Sequence, residues 1–213
     1  MSGNLLKRTL ALAAHLSPTA RHATPEKDFW KWFVKNEASL WDFEKSQEQT
    51  FDRLATELHR VHPSITFEFG PKQNGKREFV ISADGIRDAF PAVESLYAAA
   101  PQLQRWRIIK FRPRREPFDI EYAGIKVHAK DVRVAISRSA EKVDVAVYLP
   151  GYASDLRKKF VGVTFLLLDQ ALGEYDVEMK VGAIDGFSSD AAPGNAITLD
   201  ELPGAFDKTF ERQ

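Results

Sequence analysis

The 213-residue sequence predicts an α+β protein: a mainly antiparallel sheet from two ββαβ units, helices packed on one face, and an N-terminal helical layer. Three observations carry this expectation. Apolar and polar residues alternate around 65–69, 79–82, 132–137 and 143–149, the period of two that a one-sided strand produces. In two places the order reads strand, strand, helix, strand, over about 64–112 and 131–183. The stretch before Ile65 carries helix signals.

The first 24 residues read as a helix and linker, and 25–213 as one α+β domain. Leu5 to Leu16, with Lys7 and Arg8, loosely imitates a secretory signal. The apolar run is short and holds His15, and Arg21 stands where a cleavage site wants a small residue, so a short helix is expected. At Thr24-Pro25-Glu26 a cap, a first-turn proline and an acidic residue start a helix with Phe29, Trp30, Trp32, Phe33, Leu40 and Trp41. Ser46-x-x-Gln49 is a capping-box pattern that opens a second helix, with Phe51, Leu54 and Leu58 inward and Pro63 as its end.

In the first unit, Asn74-Gly75 turns one strand into the next, a helix runs from about Ile86 to Ala100, and a third strand covers Trp106 to Phe111. A short hairpin at Phe118 to His128 turns at Ala123-Gly124. In the second unit, Ser154 caps a helix to about Leu172, with Gly173 as terminator. Phe160 to Leu168 is apolar nearly all round, which predicts burial on more than one side. Tyr175, Val177, Met179 and Val181 alternate with polar residues and read as the third strand. Ile65 then corresponds to Val132, Phe79 to Val145 and Trp106 to Val177, a repeat of layout without residue identity. Three strands alone expose much apolar edge, so a shared sheet of about six to eight strands is expected. Its polar face carries Glu68, Glu78, Arg133, Asp144, Tyr148, Glu178 and Lys180, either open to water or covered by the N-terminal helices or a second subunit. A loop over 186–195 leads to Thr198-x-x-Glu201, another capping box, and a helix with Leu202, Phe206 and Phe210 inward that Pro203-Gly204 splits.

Composition narrows the function classes. Lysine plus arginine and aspartate plus glutamate both number 30, so a generic polyanion binder is a minority reading. The chain has no cysteine, which excludes disulfides, thiolate catalysis, zinc fingers and iron–sulfur clusters. No stretch has the length of a membrane span. Gly-x-Gly-x-x-Gly, the phosphate-loop lysine motif, Gly-x-Ser-x-Gly and His-Glu-x-x-His are absent, and no cofactor is implied. Asp84-Gly85 and Asp185-Gly186 read as turns after strands.

Three groups carry candidate chemistry. Arg105, Arg107, Lys110, Arg112, Arg114 and Arg115, with Trp106, Phe111 and Phe118 beside them, suit phosphate and stacked bases. The same run is equally a charged strand edge or a set of internal ion pairs: residues 169–213 hold ten acidic against three basic residues and are its natural partner. His59 and His62 are spaced to share a metal, yet they also suit a helix C-terminus, and no third ligand is specified. Trp30, Trp32 and Trp41 are core residues or an interaction surface; Trp32 falls off the apolar stripe.

Phe29-Trp-Lys-Trp-Phe33, Val61-His-Pro63, Phe67-Glu-Phe-Gly-Pro71, Arg77-Glu-Phe-Val-Ile-Ser-Ala-Asp-Gly85 and Phe111-Arg-Pro-Arg114 together resemble a family of uncharacterised bacterial proteins, over about residues 26–182. The resemblance implies a bacterial, cytoplasmic protein and brings no activity with it. Three functions are then expected in order: a non-enzymatic binding or protein-interaction module, as a homo-oligomer or with a protein partner; a binder of nucleic acid or a phosphorylated ligand through Arg105 to Arg115; and an enzyme whose site is built from His59, His62, His128 and Glu68.

Overall fold

A computed structural model describes residues 24–211; the helix-or-leader expectation for 5–16 lies outside them. The N-terminal layer holds α1 (Pro25–Lys35), α2 (Glu37–Trp41) and α3 (Gln47–His59). α1 starts as its sequence dictates: Thr24 is extended, its hydroxyl accepts from the Lys27 amide, and Glu26 and Asp28 face the positive helix end. The capping box expected at Ser46 does not form. Ser46 Oγ meets Thr50 Oγ1 at 3.2 Å instead of an amide.

The first unit consists of β1 (Thr66–Gln73), β2 (Lys76–Ser82), α4 (Phe90–Ala98) and β3 (Trp106–Lys110). Asn74 and Gly75 both have positive φ, the hairpin geometry that Asn-Gly favours. β2 pairs antiparallel with β1 and parallel with β3, so the order is β1-β2-β3. Its inward face is aromatic. Phe79 lies 5.1 Å from Phe33, and Phe33 lies 5.1 Å from Trp106, ring centre to ring centre. Leu54, Leu58, Val93 and Leu96 complete this core. A short hairpin, β4 (Ile120–Tyr122) and β5 (Ile125–Val127), follows and turns at Ala123-Gly124 as expected.

The second unit consists of β6 (Arg133–Ser139), β7 (Lys142–Leu149), α5 (Arg157–Leu172), α6 (Glu174–Lys180) and β8 (Val181–Ser188). β7 again pairs antiparallel with its predecessor and parallel with the strand after the crossover. β9 (Ile197–Thr198) extends the far edge, giving β8-β7-β6-β9, and α7 (Leu202–Glu211) closes the chain. The core is aliphatic: Val143, Val145, Val147 and Leu149 face Val163, Leu167 and Leu168, with Phe206 from α7. Thr198 and Glu201 do form the predicted capping box, each accepting from the other's amide.

The α+β class, the N-terminal helices and the repeated strand order are present. Four expectations are corrected. The two units build separate sheets of three and four strands, because helices α1, α3 and α4 already cover the apolar face of the first and α5, α6 and α7 that of the second. Residues 174–180 are helix rather than strand. Over seven residues, alternation and helical spacing both place Val177 inward, and the Lys180–Asp176 pair at 2.7 Å and the acidic first turn favour helix. The third strand is therefore 181–188, and Asp185-Gly186 lies within it. Pro203-Gly204 sits in the first turn of α7, where proline fits, and does not split it.

Candidate functional site

The arginines after β3 do two different jobs. Phe111 has φ of 61°, a conformation that bulky side chains rarely adopt. It is held there by its ring against Phe90 at 4.5 Å and Tyr175 at 5.3 Å, and by its amide on the Ile81 carbonyl at 2.7 Å. This turn sends Arg112 and Arg114 into the second unit. Arg112 meets Glu68 at 2.6 Å, Asp169 at 3.2 Å and Asp84. Arg114 meets Asp176 and Asp207 at 2.6 and 2.8 Å and donates to the Leu172 carbonyl. The acidic C-terminal region supplies Asp169, Asp176 and Asp207 to these ion pairs, and the first unit supplies Glu68 and Asp84. Burial opposes the charge of Arg112, but the carboxylates around it hold its pKa above the ordinary value.

Glu174 fixes the same seam. Its side chain is 0% exposed. Oε1 accepts from the amides of Ala83 at 2.8 Å and Gly85 at 3.3 Å, and Oε2 accepts from Arg112 at 3.0 Å. Gly173, at φ 79°, ends α5 and lets the next helix begin in line with these donors. A buried carboxylate satisfied by three backbone donors joins the two units more rigidly than a surface ion pair does.

Two clefts open over this seam and share Arg112, Leu166 and Asp169. One, of about 330 Å³, runs beside Glu68, Phe118 and Gln170. The other, of about 300 Å³, runs beside Asp84, Tyr122, Phe165 and Glu178. Burial raises the Asp169 carboxyl to about 6, since Arg112 offsets only part of the desolvation and Glu174 and Glu178 add repulsion.

The outer face of α5 is the apolar wall of this region. The expected burial of Phe160 to Leu168 on more than one side is corrected here. Phe160, Val163, Leu167 and Leu168 are buried, whereas Val161, Phe165 and Leu166 face solvent. Phe118, Tyr122, Val161, Phe165 and Leu166 are 38–57% exposed, and together they present roughly 450 Å² of apolar residue, the size at which a patch on a monomer is commonly functional. Adjacent members line common clefts: Phe118 with Leu166, Leu166 with Phe165 and Tyr122, and Phe165 with Val161. A Cβ on Gly162 would fall 2.5 Å from the Tyr122 ring, so only glycine lets the hairpin lie on the helix there.

The remaining candidate residues are placed as follows. Arg107 and Arg115 both pair with Glu78, and with Lys76 they line a cleft of about 250 Å³ on the first sheet. Lys110 pairs with Glu94 at 3.1 Å. Arg105 stacks on Trp41, its guanidinium carbon 4.0 Å from the ring centre. Trp30 is only 3% exposed and donates to the Leu96 carbonyl at 2.8 Å, so it belongs to the core and not to a surface. Trp32 and Trp41 are half-buried, and Arg53 lies over Trp32. Arg77 and Trp106 are adjacent across β2 and β3 and hold buried donors without a partner among the described residues; the Arg77 guanidinium lies 4.4 Å over Phe43 and pairs with Glu44.

The histidines do not converge on Glu68. His62 Nδ1 accepts from the Ser64 amide, His128 pairs with Asp119 at 2.6 Å, and Glu68 is bound to Arg112. Among the described residues no histidine lines the clefts over the seam, on the first sheet or beside α5. Among the described residues no group of three or more acidic, histidine or cysteine side chains is placed to hold a metal, and no helix is long and apolar enough to cross a membrane.

Sequence reasoning passed over Glu174, Asp169 and the outward half of α5. The available signal was the all-round apolarity of α5 itself, which a surface helix shows when something else covers its second face. In comparisons with protein-family models, curated proteins and solved structures, the chain matches none.

Proposed function

We propose that the chain is a non-enzymatic protein-interaction module whose contact surface is the outer face of α5 with the flanking clefts. The observation that carries this reading is the contiguous exposed group Val161, Phe165, Leu166, Tyr122 and Phe118 beside a charged seam. An apolar centre with a polar rim is the anatomy of a protein interface. The reading assigns the module to the cytoplasm and to a protein partner or homo-oligomer. A photo-crosslinking residue at position 165 is expected to give discrete protein adducts in cells, while one at the exposed Phe187 on the open face of β8 gives none. Adducts at neither position, or equal adducts at both, would defeat the reading.

A second reading rests on the cleft of Lys76, Arg107 and Arg115. One carboxylate, Glu78, serves two arginines there, which leaves excess positive charge in a concave surface. This cleft suits a phosphorylated ligand. Binding of an oligophosphate should weaken steeply with added salt and vanish in Arg107→Glu/Arg115→Glu; binding that survives charge reversal would remove this reading.

A further inference from the structure

The charges at the two ends of α5 are opposite. Arg157, Lys158 and Lys159 are exposed in its first turn, which contains no acidic residue, and only Asp155 precedes them closely. Cations there face the positive end of the helix dipole, an arrangement unfavourable to the helix itself. At the other end the seam holds Glu68, Asp84, Asp169, Glu174 and Glu178 against Arg87, Arg112 and Arg115, an excess of negative charge. Asp84 is its most exposed acid, with a side chain 66% accessible. The apolar residues Val161, Phe165 and Leu166 lie between the two ends.

Such a surface is complementary to itself when turned end for end. Lys158 and Asp169 stand equally far from the point midway between residues 163 and 164, and so do Phe165 and Gly162, on which the Tyr122 ring lies; at about 100° per residue all four share one strip of the helix surface. A two-fold axis through that point therefore sets base against acid twice and apolar against apolar twice, as an isologous contact requires.

We infer that two copies of this chain pack α5 against α5, antiparallel, with Lys158 of each facing the Asp84–Asp169 end of the other and Phe165 facing Tyr122 where it lies on Gly162. The inference rests on the reading of α5 as the contact surface and names its occupant. It also accounts for the second apolar side of α5, which the described residues leave exposed. The dimer places the basic turn, costly to an isolated helix, beside the acidic excess that the seam cannot neutralise from within.

Sedimentation equilibrium of the full chain tests this. The wild type is expected to be a dimer at micromolar concentration. Arg157→Glu/Lys158→Glu and Asp84→Lys are each expected to weaken it at least tenfold, and an equimolar mixture of the two is expected to recover a heterodimer. The glutamate pair improves the charge at the helix N-terminus, so its loss of dimer does not come from a lost helix; circular dichroism checks that Asp84→Lys is folded. Because the chain has no cysteine, Val161→Cys and Lys158→Cys report the geometry. A short bismaleimide should join Val161→Cys copies, whose sites lie near the axis, and leave Lys158→Cys copies, about 16 Å apart along the helices, unjoined. A monomeric wild type, a dimer indifferent to the charge variants, or crosslinking at Lys158→Cys overturns the inference. A monomer that still gives adducts to another protein at position 165 removes the dimer and leaves the interaction module standing.

Discussion

The two units are wound alike and finished differently. In both, a hairpin is followed by a crossover that lays a third strand parallel to the second. The first fills its apolar face with rings, and α1 packs over both its sheet and its crossover helix α4. The second fills its face with valine and leucine, and among the described residues no helix lies on the outside of its longer crossover helix α5. The winding follows from backbone chirality and the short hairpin, which both units share. What covers the crossover helix decides which unit has surface left to offer. The first unit brings its own cover within the chain, and the exposed apolar helix face belongs to the second.

The comparison can be broken most strongly at the two equivalent core positions. Phe79→Ala should cost about 4 kcal/mol and Val145→Ala about 2 kcal/mol, since an aromatic core loses more volume and contact per truncation. Chemical denaturation of both variants measures the difference; equal losses would mean that the two cores are not built as differently as their residues indicate. Next comes the staple. Glu174→Ala leaves the buried Ala83 amide and the half-buried Gly85 and Arg112 amides without this acceptor and should cost about 3 kcal/mol. All four tryptophans, Trp30, Trp32, Trp41 and Trp106, belong to the first unit and its helical layer. Fluorescence therefore follows one unit and far-ultraviolet circular dichroism follows both. The two transitions should coincide in the wild type and separate in Glu174→Ala.

A smaller effect concerns protons. The Asp169 carboxyl is raised to about 6 by burial, so the folded protein holds this proton more tightly than the unfolded chain. Its contribution therefore becomes more favourable as pH falls from about 6 toward 4, by about 2 kcal/mol, and stays flat above that window. Asp207 behaves in the opposite sense. Arg114 holds it below its ordinary value, so its contribution is present at neutral pH and is lost in acid. Asp169→Asn should stabilise the protein by about 1 kcal/mol at pH 7.5 and flatten the pH 4–6 segment of the stability curve. A slope unchanged in that variant would mean that Asp169 is not its source. The least effect separates the two capping-box sequences. Thr198→Ala should cost about 1 kcal/mol, because its cap is made, and Ser46→Ala close to nothing, because its cap is not; thermal melts of the pair distinguish them.

Much of this architecture is legible from the chain, for local reasons. Asn74-Gly75, Ala123-Gly124 and Thr198-x-x-Glu201 act over four residues or fewer, and the clean alternation of β7 reports a sheet with one dry face. What is not legible depends on partners distant in sequence. Tyr175 to Val181 fits both periods, and Glu174, bound to amides 91 and 62 residues away, helps to settle it as helix. The segregation into two sheets is set by which helices reach each apolar face, a matter of volume that no strand carries in its own residues. Within the candidate site, the ion pairing of Arg112 and Arg114 is visible as a charge imbalance between chain regions, but Asp169 carries no local mark at all. The exposed side of α5 is present in the sequence as excess apolarity; sequence alone does not say whether this chain or another one covers it.

The Glu174 staple also bears on the order of events in folding. The three amides it satisfies belong to the first unit or the turn just after it, yet the carboxylate is made 91 residues after the earliest of them. During synthesis the first unit therefore emerges with these donors facing water. They are buried only once α5 has formed and Gly173 has turned the chain into α6. Contacts that close so large a loop tend to form after the rate-limiting step. Replacement of Glu174 should therefore accelerate unfolding far more than it slows refolding: the bond acts as a latch on the finished molecule, set last and released first.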